Sequence, residues 1–368
     1  MTGGGCTVFT QAVDGTGQYY LDALGTVTDL KYDDTMPGGS NALTCTLQAD
    51  PRWRHVALNP GRRLLVAKGG SIQWEGRLAE PTPGDGGWAL QGEGAGTWGS
   101  RFRAFYPTTG NPQQQNTPAN VLGGAIQRGL RWVIGTVVPP GPNPYYAFDN
   151  ASISITDYMN ALASPAASTW RLTRTWAGLE VDLIPIPTTV TRLLITEVPA
   201  TRTLAGYINS LYVKYMSRPD GGGYQAAFGL QNVSNPTNMA KHDVTEDFWD
   251  VSSPGVLTQA QASQVGSTAI SKYLAASYAG PFVVQPGQYL TTGGSPVDLA
   301  CENAAEVVQL VLADGPYGGE VAPAPPVTFP VGSVQYSDKD GTLTVTPFQS
   351  YRADWSTLLG LLMPRAPA

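Results

Sequence analysis

Residues 329–350 read FPVGSVQYSDKDGTLTVTPFQS, and their pattern decides the fold class. Two runs of β-favouring residues flank Asp340-Gly341, a pair that accepts the positive φ of a tight hairpin turn. The stretch is predicted as the closing hairpin of a sheet. Working outward, further strands are expected at Phe282, at Val297 and over 306–312. Upstream of these, 257–278 reads LTQAQASQVGSTAISKYLAASY and is predicted as one long helix inserted among strands. Two more hairpins extend the β-rich reading. One is TWRLTRTW and LEVDLIPIP around Ala177-Gly178, with Trp170, Leu172 and Arg174 on one face and Leu179, Val181 and Leu183 on another. The other is YINSLYVKYMS and YQAAFGLQN around the turn at 219–223.

The first hundred residues read the same way. A strand over 26–32 leads into a loop, DDTMPGGSN, and then into a strand over 42–48 whose Leu43, Cys45 and Leu47 alternate onto one face. Strands over 63–68 and 71–78 flank Gly69-Gly70, a two-residue turn signal, and 88–91 follows the loop PTPGDGG. Short strands at this spacing suggest a barrel or sandwich. Composition shifts near 106, where YPTTGNPQQQNTPAN forms a polar boundary. Thr117-Pro118 then reads as a cap and first residue of a helix carrying Val121, Leu122, Ala125, Ile126 and Leu130. After VVPPGPNPYYAF, Thr156 is expected to cap a short helix carrying Met159 and Leu162. The predicted fold class is mainly β with some α. Two barrel-like domains are expected at 1–105 and 200–350, the second holding the inserted helix. A mixed helix and hairpin domain fills 106–199, and 351–368 forms a C-terminal helix or tail. No tandem repeat is present.

Only 14% of the 368 residues are charged, against about 25% in an average soluble chain. Gly (43) and Pro (30) are abundant, which fits many turns and surface covered by partner subunits. The net charge of −6 supplies no basic footprint for a nucleic-acid backbone. Arg52, Arg54, Arg62 and Arg63 are the densest cationic group and read as a solvated or subunit-contacting face. Cys6, Cys45 and Cys301 form no CxxC pair, which argues against a zinc knuckle and a disulfide framework. The N-terminus has no basic and apolar signal regions, and no apolar run approaches the roughly 20 residues that span a bilayer. The expectation is folding in a reducing cytoplasm, without membrane anchoring.

Catalytic signatures are sparse. His55 and His242 are the only histidines. His242-Asp243 supplies two triad residue types, but adjacency in sequence is not triad geometry, and no GxSxG elbow is present. The acidic run DVTEDFWD (Asp243, Glu246, Asp247, Asp250) lacks the residue order of a calcium loop, and Asp338, Asp340 and Gly341 read better as a turn. Trp53, Trp74, Trp88, Trp98, Trp132, Trp170 and Trp176 are candidate sugar platforms, although most sit in apolar strand patterns where packing is the default. GEGAGTWGS (92–100) lacks the Lys-Ser/Thr ending of a phosphate loop. No catalytic, cofactor-binding or metal-ligating residue is assigned, and no cofactor is expected.

Three segments together resemble the baseplate-hub, or tail-associated, proteins of long-tailed bacteriophages. PGGSNALTCTL, then Asn59-Pro60-Gly61-Arg62-Arg63-Leu64-Leu65-Val66, then Ile72-Gln73-Trp74-Glu75-Gly76-Arg77-Leu78, looks like the opening barrel of hubs. ITDYMNALASPAASTWRLTRTWAGLEVDLIP is similar to their helix-then-hairpin segment, and YSD…GTLTVTP is similar to the ending of actinobacteriophage minor tail proteins. The resemblance implies two tail-tube-like barrels per subunit and a homotrimeric, pseudo-sixfold ring at the tail tip of the virion. It implies a non-enzymatic structural role in genome ejection, with distal tail protein, tape measure protein and other minor tail or fibre proteins as partners. Phage DNA would only pass through the channel, and a wall without basic runs suits that passage. The chain stops soon after the hairpin, which argues against a fused lytic domain. A carbohydrate-binding tail or surface adhesin is the alternative, and a glycan-degrading enzyme ranks below it.

Overall fold

The computed structural model describes residues 5–50, 55–104, 118–137, 153–163, 168–175, 178–196, 202–203, 208–217, 227–250, 259–260, 262–263, 266–267, 270, 277–278, 281–312 and 327–348. The N-terminal segment forms β1 (Thr7–Gln11), β2 (Tyr19–Tyr20), β3 (Thr26–Thr35), β4 (Gly39–Gln48), β5 (Arg63–Lys68), β6 (Ser71–Leu78), β7 (Thr82–Gly84) and β8 (Gly87–Gly94). The middle holds α1 (Pro118–Gln127), β9 (Trp132–Ile134), α2 (Ile155–Leu162), β10 (Ser168–Thr175) and β11 (Gly178–Pro185). There follow β12 (Val190–Thr196), β13 (Arg202–Thr203), β14 (Ser210–Ser217), β15 (Ala227–Ser234), α3 (Pro236–His242), β16 (Glu246–Asp250) and β17 (Ser277–Tyr278). The last strands are β18 (Phe282–Val284), β19 (Tyr289–Thr291), β20 (Val307–Leu312), β21 (Val327–Ser337) and β22 (Thr342–Pro347).

The closing hairpin forms as its sequence dictates: β21 pairs antiparallel with β22 around Gly341, whose φ is 63°. β21 also pairs with β3, setting Tyr336 opposite Tyr32. That one ladder joins the two ends of the chain. The resulting path runs β19-β12-β20-β21-β3-β4-β8-β6-β5-β1-β2, with β18 on β22 and β7 on β8. Among the described residues the path does not close into a barrel. Strands from both segments expected as barrels, β1–β8 and β18–β22, share one sheet and one apolar core. Leu43, Leu47, Leu64, Val66 and Trp74 from the first segment are buried with Tyr289, Leu310, Val334, Leu343 and Val345 from the last. Period-two burial in β4 and β22 supplies Leu43, Leu47, Leu343 and Val345.

A second core lies in the middle segment, where β9, β11 and β10 make a small sheet against α1 and α2. Here Trp98, Leu122, Trp132, Tyr158, Met159, Trp170 and Val181 pack together, with the Trp132 and Trp170 rings 5.6 Å apart. Hydrogen bonds from Gly38 N to Trp170 O and from Leu172 N to Gly38 O tie it to the β3–β4 turn. A third sheet, β15-β14-β16, stands apart. One of its faces is covered at Val213 and Val233 by the helical turn at Gly266, where a Cβ would lie 2.6 Å from the Val233 methyl. The helix and strand therefore approach closely only because position 266 carries no side chain.

Several local expectations need correction. The loop 33–41 shrinks to a turn at Met36-Pro37-Gly38, because Asp33 and Asp34 continue β3 and β4 begins at Gly39. Ser154, not Thr156, caps α2: its hydroxyl accepts from Asp157 N (3.1 Å) while Asp157 reaches back to Ser154 N, a reciprocal capping box. No strand forms at Val297. An isolated bridge joins Leu290 to Pro296, and a 3-10 turn follows at Leu299–Cys301. In 257–278 the described residues from 259 to 270 are helical, but Ser277–Tyr278 pairs with Arg202–Thr203 as strand, so the helix ends earlier than its composition suggests. PTPGDGG contributes β7, and a 3-10 helix occupies Ala95–Arg101. Thr117, the turn at 219–223 and the tail at 351–368 lie outside the described residues. No helix among the described residues is long and apolar enough to cross a membrane.

Candidate assembly surfaces

The structure disperses the chemistry that the sequence nominated. His55 is a local cap: its Nδ1 accepts from Ala57 N (3.0 Å), and its ring meets Tyr19 edge-on at 5.0 Å. Asp243 follows α3 with φ of 60°, and its carbonyl accepts from the Asn209 side-chain amide. The rest of the acidic run, Glu246, Asp247 and Asp250, falls in β16, and strand alternation splits these carboxylates between two faces. Asp247 accepts from Trp249 Nε1 (3.1 Å), whereas Asp250 pairs with Lys214 (2.7 Å) on the opposite side. Asp340 accepts from Ser337 Oγ (2.7 Å) within the last turn. Among the described residues no group of three or more His, Cys, Asp or Glu could hold a metal ion.

Packing claims the aromatic and sulfur residues. Trp74, Trp98, Trp132 and Trp170 are fully buried, and Trp88 nearly so. Trp53, Trp176, Arg52 and Arg54 lie outside the described residues. Gly94, within the Gly-rich stretch, is set against the Ser40 carbonyl so closely that any Cβ would collide with it, so strand packing accounts for that glycine. The three cysteines are free thiols. Burial pushes the Cys6 thiol up to about 11 and the Cys45 thiol up to about 12, which favours the neutral thiol in both. A cavity of about 360 Å³ opens beside the β3–β4 turn, lined by Thr35, Asn41, Ser100, Thr156, Asn160 and Trp170 among others, without any charged side chain.

Two features stand out against that background. The first is the outer face of β15-β14-β16. Register places Phe248 beside Tyr212, and Lys214 between Leu230 on one side and Asp250 on the other. Leu230 is 60% exposed and Phe248 54%, with Val244 at 55% on the loop leading into β16. Apolar groups of this size, rimmed by an ion pair, mark a surface suited to association. The second is ionic. Glu75 on β6, 4% exposed, accepts from Arg63 Nε (3.0 Å) and Nη2 (2.6 Å) and also pairs with Arg174 of β10. Arg63 donates onward to Gln11 (3.1 Å). This cluster around a buried carboxylate fastens the middle segment to the outer face of the large sheet. Sequence reasoning named Arg63 only as part of a surface group and placed Arg174 on its strand face without a partner. The alternation Trp74-Glu75-Gly76-Arg77 inside an apolar strand was the available signal.

No family model matches the chain, and no curated protein does. Its fold is similar to that of several solved tail proteins. The 43 kDa tail protein of prophage MuSo2 from Shewanella oneidensis is 12% identical with a TM-score of 0.62, covering 98% of this chain and 100% of that one. Prophage tail protein gp18 from Listeria monocytogenes EGD-e is 8% identical with a TM-score of 0.55, covering 97% and 98%. A tail protein from Neisseria meningitidis MC58 is 12% identical with a TM-score of 0.53, covering 98% and 100%. The shared feature at such identities is the fold, and it spans the chains end to end.

Proposed function

We propose that this chain is a structural hub at the tip of a long-tailed phage's tail, forming a homotrimeric ring that closes the tail tube. In this reading the ring joins the tube to distal tail, tape measure and fibre proteins, and DNA only passes through it. The observation that carries the reading is the end-to-end likeness of fold to tail proteins from three different bacteria. Two features of the chain support it. Low charge density suits subunits that bury extensive flanks, and the exposed apolar face of β15-β14-β16 offers a surface to bury. Closed rotational symmetry is the usual arrangement for identical subunits in such a ring. The reading is non-enzymatic, with no cofactor.

A symmetric reconstruction of the tail tip, with this chain labelled, tests the proposal. Three copies around a central channel are expected, and one or six copies would refute the trimeric ring. The adhesin reading draws on the uncharged, hydroxyl-lined cavity beside the β3–β4 turn. Saturable binding of the isolated protein on a glycan array would favour it over the hub.

A further inference from the structure

The cavity beside the β3–β4 turn lies at the seam between the large sheet and the middle segment. Thr35, Pro37 and Asn41 line it from the sheet and its turn, Thr156 and Asn160 from α2, and Trp170 from β10. A side chain at position 38 would occupy it. A Cβ on Gly38 would lie 3.7 Å from both Thr35 Oγ1 and the Trp170 ring and 3.9 Å from Gly96 Cα, all atoms of wall residues. The wall carries hydrogen-bonding groups that the protein itself does not use. Thr156 Oγ1 is buried without a hydrogen-bond partner among the described residues. Asn160 Oδ1 accepts from Trp170 Nε1 (2.7 Å), which fixes the amide and leaves its N–H donors over. Asn41 is the converse: its Nδ2 donates to Asp33 (3.1 Å), leaving Oδ1 as an acceptor. Ser100 Oγ donates to Thr97 O (2.6 Å) and keeps its lone pairs. Donors and acceptors are therefore both on offer, on a wall with no charged side chain.

We propose that this cavity binds one uncharged hexose unit, with Thr156 and Asn160 as its polar contacts and Trp170 and Pro37 as its apolar wall. A sugar hydroxyl donates and accepts at once. It satisfies a mixed wall that a carboxylate, an acceptor only, or an ammonium, a donor only, would leave half unpaired. A charged ligand would also be buried without a counter-charge, which is costly. The C–H groups of a pyranose ring suit the apolar side of the wall. Size points the same way. A single bridging water needs only about 10–15 Å³. This cavity holds about 360 Å³, near the low end of the roughly 300–1,000 Å³ of ligand pockets. The proposal deepens the adhesin reading by naming its sugar class and subsite, and it does not depend on the trimeric ring.

Ligand-observed NMR titration of the full chain with galactose, glucose and N-acetylglucosamine tests the site. Saturable binding of at least one is expected, and of neither glucosamine nor glucuronate, their charged counterparts. Thr156→Val keeps the shape of the wall and deletes only the unpartnered hydroxyl. It should weaken binding about three- to tenfold, the equivalent of one hydrogen bond. Thermal stability should stay unchanged or rise, because an unpartnered buried hydroxyl itself costs stability. A purely structural role for Thr156 would not produce that pairing. Asn160→Asp, which keeps the acceptor for Trp170 Nε1 and replaces the donors by a charge, should abolish binding. No saturable binding of any of the three sugars, or undiminished binding in both variants, would overturn the proposal. Equal uptake of the charged sugars would overturn its ligand class. Should Asn160→Asp fail to fold by circular dichroism, Thr156→Val carries the test. The methyl glycoside of the bound sugar separates the sources: uptake assigns the cavity to the terminal unit of a glycan, and exclusion restricts it to the free sugar. Glycan-array binding retained by Thr156→Val at wild-type strength would remove this site and leave the adhesin reading standing on another surface.

Discussion

The large sheet and the three-stranded sheet β15-β14-β16 are built from similar residues but treat their faces differently. In the large sheet, β5 and β6 are covered on both sides, by the shared apolar core within and by the Glu75 seam without. In the small sheet one face packs against the helical turn at Gly266, and the other leaves Leu230 and Phe248 in solvent. The first arrangement uses its apolar surface for stability. The second leaves apolar surface free for association. If the open face is an assembly surface, stability and assembly are carried by different regions, and substitutions should separate them.

The largest effect is expected in the shared core. Trp74→Ala removes a fully buried ring and should cost about 3–5 kcal/mol, and Leu343→Ala on β22 about 2–5 kcal/mol. Because both lie in one core, each should lower the same cooperative transition in denaturant. Two separable transitions, one sensitive to each variant, would restore the idea of independent barrels. Next in size is the seam. Glu75→Gln removes the buried carboxylate that holds partly exposed Arg63 and Arg174, at a cost of about 1.5–3 kcal/mol in urea unfolding. A loss below about 1 kcal/mol would mean that solvent already screens the cluster.

A smaller effect depends on pH. Burial, then the nearby Glu302 carboxylate, pushes Glu306 up from 4.5 to about 7, although Arg192 lies within 3.4 Å of it. In the unfolded chain this group ionises near its ordinary value, so between about 4.5 and 7 the folded state binds the extra proton. Its contribution to stability is complete below that window and is lost as pH rises through it, by no more than about 3 kcal/mol. Urea unfolding at pH 5 and pH 8 should show this decline in the wild type and a flatter profile in Glu306→Gln. Equal slopes would show that Arg192 compensates the charge fully.

Local signals made much of the large sheet legible. Gly69-Gly70 fixed the boundaries of β5 and β6, and Asp340-Gly341 placed the final turn, because each turn needs residues that accept positive φ. Alternation at Leu43, Cys45 and Leu47 identified the buried face of β4. The β3–β21 ladder was illegible. It pairs residues about three hundred positions apart, and no local pattern encodes which strand becomes a neighbour. For the same reason the seam went unread: Glu75 and Arg174 lie on strands that only tertiary folding brings together. The resemblance to tail proteins agrees with the likeness of fold, and the mainly β class was legible, whereas the sheet that joins the two ends of the chain was not.

The smallest effect on stability, and the sharpest contrast, is expected on the open face of the small sheet. Phe248 and Leu230 are more than half exposed, so their replacement by serine removes little buried area and should change unfolding free energy by no more than about 0.5 kcal/mol each. Lys214 and Asp250 remain paired beside them, and the covered face at Val213 and Val233 is untouched. If the face is an assembly surface, Phe248→Ser and Leu230→Ser should nonetheless reduce incorporation of the chain into tail particles. A hot-spot residue at an interface centre costs about 2 kcal/mol or more when truncated, about a thirty-fold loss in affinity. The measurement is the ratio of labelled variant to wild type recovered in purified particles after co-expression. Recovery in proportion to expression, with unfolding unchanged, would mean that assembly uses another surface. Reduced recovery accompanied by a lowered transition would mean that the face is needed for folding. Only loss of incorporation at unchanged stability separates association from folding as the contrast between the two sheets requires.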